Sequence, residues 1–130
     1  MSTILADMYL IIDNLKENIT LYWRLADGWE KKEFDRSNGL LEVIDSLLTT
    51  LGKDARDLKG IVALLGAGTF TQTRVAATVA NSLAFALKIP VAGVTDLKIE
   101  KIIDLLENTP VGQYISPKYS REANIGGVSS

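Results

Sequence analysis

The stretch Ile61-Val62-Ala63-Leu64-Leu65-Gly66-Ala67-Gly68-Thr69-Phe70-Thr71 decides the fold of this chain. Five apolar residues run without polar alternation, as in a parallel strand covered on both faces, and the glycines after it let the backbone turn sharply. A helix follows, with Thr69 or Thr71 available to cap it. Along 74–87 the apolar residues Val75, Ala76, Ala77, Val79, Ala80, Leu83, Ala84, Ala86 and Leu87 cover about 200° of the helical wheel, more than one contact surface needs. Ala76, Ala80 and Ala84 recur every fourth position, a spacing that lets another helix approach closely.

Upstream, residues 8–12 read as a buried central strand ending at Asp13. Over 19–25 the side chains alternate, with Ile19, Leu21, Trp23 and Leu25 to one face, and Asp27-Gly28 turns the chain into a second arm over 29–34. Trp23 and Trp29 on neighbouring arms are expected to pair as packing. Ser37 or Asn38 can cap a helix whose apolar residues, from Leu40 to Leu51, span an arc of about 160°, and Gly52 can end it. Downstream, 90–94 reads as a last strand and 96–106 as a helix, stopped by Asn108 and Pro110. Beyond Pro110 the periodicity is lost, and the chain is expected to pack through Tyr114, Ile115 and Tyr119.

Composition narrows the chemistry. The 130 residues are 47% hydrophobic and 23% charged, as expected of one folded domain. A net charge of -2, with the signs interspersed, provides no basic stripe and argues against strong direct nucleic-acid binding. There is no histidine and no cysteine, which excludes histidine-based acid-base catalysis, the usual serine triads and thiolate zinc sites. No catalytic constellation, metal or cofactor is expected. The start of the chain lacks a leader pattern, and 8–12 is too short to span a bilayer, so a soluble, cytoplasmic protein is expected.

One segment has the form of an anion site. At Gly66, Gly68, Thr69 and Thr71 the backbone can approach a phosphate at a helix N-terminus, although no Gly-Lys-Ser/Thr follows and the third glycine of a dinucleotide fingerprint is absent. The same residues can serve as a tight turn whose hydroxyls cap the helix. Asp13, at the end of the first strand, stands where α/β sheets often place a ligand-binding acid, but the residues after it offer no glycine or hydroxyl, so a solvated or capping role is expected.

From Gly66 to Arg74 the sequence G-A-G-T-F-T-Q-T-R resembles the glycine motif G-P-G-S-F-T-G-L-R of the TsaB (YeaZ) family. The similarity runs on through Ser82-Leu83-Ala84-Phe85-Ala86-Leu87-Lys88-Ile89-Pro90 and Gly93-Val94-Thr95-Asp96-Leu97. Ile11-Ile12-Asp13 is similar to the family's opening strand, and 115–122 to its C-terminal P-x-Y-L-R-x-P segment. Ala67, Gln72, Thr73 and Asp13-Asn14-Leu15 depart from the pattern, and between Leu106 and Ile115 the second lobe of the family is expected to be missing.

The resemblance implies a single actin-like ATPase (ribonuclease H-like) lobe. This is an α/β fold with a five-stranded mixed sheet, an N-terminal antiparallel hairpin and helices on its faces, spanning 1–108 with a tail over 109–130. It implies a non-catalytic subunit in tRNA threonylcarbamoyladenosine synthesis, partnered by a TsaD-like catalytic subunit and a TsaE-like ATPase, and a homodimer when alone. The family interface maps onto the helices at about 38–51 and 71–87, so Leu40, Leu41, Ile44, Leu48, Val75, Ala76, Val79, Ala80, Leu83 and Ala84 are the candidate contact residues. The alternative is a vestigial nucleotide-binding module that uses the turn at 66–71. The glycoprotease label borne by related families finds no nucleophile, histidine or metal ligand set here.

Overall fold

Alternating and continuous apolar runs become five strands of one mixed sheet in a computed structural model, which describes residues 7–26, 28–66 and 70–116. The strands are β1 (Met8–Asp13), β2 (Ile19–Leu25), β3 (Gly28–Phe34), β4 (Leu58–Leu64) and β5 (Val91–Val94), in the order β3-β2-β1-β4-β5. β3, β2 and β1 pair antiparallel, and β1, β4 and β5 pair parallel. The central strands β1 and β4 are buried on both faces, which is why their sequences do not alternate.

Among the described residues three α-helices cover the sheet: α1 (Leu40–Thr50), α2 (Phe70–Leu87) and α3 (Ile102–Glu107). α2 packs on β4, β5 and β1 and touches α1, whereas α3 packs on β4 and β5. The strand period sorts the core accordingly. Leu10, Ile12, Leu21, Trp23, Ile61, Ala63 and Val91 join the buried residues of α1 and α2, while Ile11 and Val62 join Ile102 and Leu106 of α3.

Trp23 and Trp29 therefore do not pair. Trp23 is opposite Glu30 and Trp29 opposite Arg24, so the two rings belong to different faces of the sheet, because residues one apart in register point oppositely.

The ends of α1 follow from its sequence, with one correction. Gly39, not Ser37 or Asn38, precedes the first turn, because Asp35 already ties down Ser37 N–H at 2.8 Å in a preceding turn. The Glu42 carboxylate accepts from Gly39 N–H at 3.2 Å. At the other end Gly52 takes φ +69, with Lys53 N–H donating to Leu48 C=O at 2.8 Å and Gly52 N–H to Thr49 C=O at 3.0 Å, a Schellman closure. The helix expected over 96–106 begins later, as a 3-10 turn over Ile99–Lys101 running into α3, since Lys98 is still extended.

After α3 the chain returns to α2. Asn81 clasps Ile115 with both ends of its carboxamide, accepting from its N–H at 2.8 Å and donating to its C=O at 3.0 Å. Ile115 is buried beside Gly93, where a side chain would collide with Leu65. Tyr119 lies outside the described residues.

Candidate functional site

Two features converge where the parallel strands end at their C-terminal edge: the turn after β1 and the turn after β4. Asp13 closes β1 with its carboxylate almost fully buried, accepting from Leu15 N–H at 3.1 Å and pairing with Lys16 Nζ at 3.1 Å. The capping role expected for Asp13 is met, but the solvated one is not: its carboxylate is inside and only the Lys16 ammonium reaches water. The hydrogen bond to Asp13, with its charge, holds the Lys16 ammonium above the ordinary lysine range.

Asn14 is also buried, and its Nδ2 donates to Gln72 C=O in the first turn of α2 at 3.0 Å. Arg36, between β3 and α1, donates to Asn14 Oδ1 at 2.7 Å, to the carbonyls of Asn14 and Glu17 at 3.1 Å each, and to that of Lys16. Gly66 leaves β4 at φ +103, a conformation that favours glycine. Gly68 and Thr69 lie outside the described residues. Thr71 is not a cap, because α2 already begins at Phe70; it sits on the outer flank with Arg74, Val75, Thr78 and Val79, around a depression of about 280 Å³.

The candidate contact residues divide sharply. Leu40, Ile44, Leu48, Ala76, Ala80 and Ala84 are buried in this chain's own core, while Val79 and Leu83 are partly buried against it. The alanine stripe thus seats α2 closely on its own sheet and is not exposed. Leu41 and Val75 of the candidate set are exposed, at 55% and 40%.

A different stripe faces outward, formed by Thr71, Val75, Thr78, Ser82 and Phe85, spaced four, three, four and three residues apart as one face of a helix requires. Phe85 is 71% exposed, with its ring 6.4 Å from that of Tyr114. Asn81, Ser82, Phe85, Tyr114 and Ile115 line a second depression of about 460 Å³. The candidate contact set left out Thr78, Ser82 and Phe85 of this outward face. The available signal was charge: across the 18 residues of α2, Arg74 alone is charged. Arg74 itself stacks over Phe70, 4.7 Å from the ring centre.

Residues 35–118, well over half of the chain, match the family described as TsaD: tRNA N6-adenosine threonylcarbamoyltransferase. The chain belongs to the TsaD family. The matched span holds α1, α2 and α3, two of the three parallel strands, β4 and β5, and Arg36.

Among solved structures, YeaZ from Pseudomonas aeruginosa is 29% identical with a TM-score of 0.57, covering 70% of this chain and 45% of that one. A second, an uncharacterized protein with similarity to peptidase YeaZ from Pseudomonas aeruginosa, is 29% identical with a TM-score of 0.58, covering 70% and 44%. This TsaD-family chain is therefore TsaB-like, with the actin-like, ribonuclease H-like fold of YeaZ. It spans less than half the length of these solved structures. Among the described residues no group of three or more acids could hold a metal ion, and no helix is long and apolar enough to cross a membrane.

Proposed function

We propose that this TsaB-like chain is a non-catalytic scaffold in tRNA threonylcarbamoyladenosine modification. It presents α2, with the exposed Leu41 of α1, to a TsaD-like catalytic subunit, with a TsaE-like ATPase as a further partner and a second copy of itself as the partner when alone. The observation that carries this is the outward stripe of α2. Exposed helix faces ordinarily carry several charges, yet this one combines Val75 and Phe85 with neutral Thr71, Thr78 and Ser82 and has Arg74 as its single charge. α1 supplies the contrast, since its exposed side includes Glu42 and Asp45.

The competing reading is a vestigial nucleotide-binding module that uses the turn at 66–71. Light scattering of the chain alone and mixed with a TsaD-like protein tests the scaffold. A concentration-dependent dimer or a mixed complex is expected, and a strict monomer that leaves the TsaD-like protein unchanged refutes it. Saturable micromolar binding of ATP with magnesium in calorimetry, weakened by Gly68→Val, would instead favour the nucleotide module.

A further inference from the structure

We propose that Arg36, acting through Asn14, is the positioning residue that registers the start of α2 against the entry to α1 and so sets the binding face; this rests on the scaffold function proposed above. A guanidinium is a rigid planar fork of donors. Here it gathers four acceptors from one turn: the carbonyls of Asn14, Lys16 and Glu17, and Asn14 Oδ1. Accepting from Arg36 through Oδ1 orients the Asn14 carboxamide, leaving its NH₂ end aimed at Gln72 C=O.

Asn14 is 3% exposed, so its own bonds to Arg36 and to Gln72 C=O are part-buried, where water compensates poorly for their loss, whereas those from Arg36 to the Lys16 and Glu17 carbonyls are exposed. Arg36 lies four residues before α1, whose first outward apolar side chain is Leu41. Gln72 lies one turn before Val75, the first outward apolar side chain of α2 past Phe70. One connected network thus indexes both helices.

The test compares the full chain with Asn14→Asp, Asn14→Ala, Arg36→Ala and Arg36→Lys. Asn14→Asp is the discriminating variant. Its carboxylate still accepts from Arg36 but has no hydrogen to donate to Gln72 C=O and sets an anionic oxygen against it, so the link to α2 is lost while that to Arg36 is kept. Hydrogen exchange across residues 70–77 is expected to quicken at least tenfold in Asn14→Asp and Arg36→Ala, with α3 unchanged.

Arg36→Lys should recover only part of the protection, since an ammonium cannot span four acceptors. Adding Asn14→Asp to Arg36→Ala should add little, because the two act in series. Association should weaken at least fivefold in Asn14→Asp. Exchange at 70–77 unchanged in Asn14→Asp, or quickened equally over the whole chain, overturns the proposal. Unchanged association alongside quickened exchange removes its link to the binding face. If the wild-type chain associates with nothing, the scaffold function fails, and exchange alone then decides the registering role.

Discussion

Phe85→Ala tests the outward face of α2 most directly. At 71% exposure, a phenylalanine side chain of about 200 Å² leaves about 140 Å² in water, and at about 25 cal/mol per Å² its burial in an interface contributes about 3.5 kcal/mol. Alanine keeps the first carbon, which is worth about 0.8 kcal/mol, so the loss is about 2.7 kcal/mol. At 1.4 kcal/mol per decade that is about 100-fold in Kd. Ordering costs and imperfect complementarity reduce it, so a fall of about 10- to 100-fold is expected.

Within the folded chain the side chain gives up its ring contact with Tyr114 and little else, so unfolding free energy should stay within about 0.5 kcal/mol. Sedimentation velocity over a concentration series, paired with urea unfolding, reads both quantities. Kd unchanged within threefold at unchanged stability would refute the assignment of this face.

Ala80→Glu is expected to unfold the chain, not merely to block assembly, since Ala80 is fully buried. A charge forced into that contact costs more than about 4 kcal/mol, read as loss of the cooperative thermal transition. Gly93→Ala places a Cβ 2.4 Å from Leu65 Cδ1 and 3.3 Å from Ile115 Cγ2, so urea denaturation should report about 1–3 kcal/mol of destabilisation from overpacking.

Stability should fall as pH rises above about 10. Burial, then Glu107 and Asp7, raises the Tyr9 phenol, and Asp13 raises the Lys16 ammonium. Both groups therefore bind protons more tightly folded than unfolded, so their contribution is complete below the unfolded values and is lost as pH climbs through the folded ones. Urea midpoints between pH 8 and 11.5 measure this, with Lys16→Met expected to shallow the decline.

The order of strands and helices was legible before any coordinates. β2 alternates, β4 runs apolar into Gly66, and Gly52 ends α1, each a signal carried by neighbouring residues. The starts of α1 and α3 were misplaced, because Asp35 and Lys98 impose turns and extended backbone that propensity does not register. Of the candidate contact residues on the two helices, the structure buries six in the chain's own core and leaves Leu41 and Val75 exposed. A wheel gives the width of an apolar arc but not its heading, so the buried Ala76, Ala80 and Ala84 passed for contact residues while the exposed Phe85 went unnoticed.

By itself, then, the sequence determined what depends on residues a few positions apart: the elements, the strand-turn-helix at 61–87, and the absence of histidine and cysteine chemistry. Only the tertiary structure decided which side of α2 faces its own sheet. It also joined Asn14 to Arg36 and Gln72, because these partners lie 22 and 58 positions away along the chain and meet only when β1 stands between β2 and β4. Side-chain direction and long-range hydrogen bonding follow from packing, which no local pattern encodes.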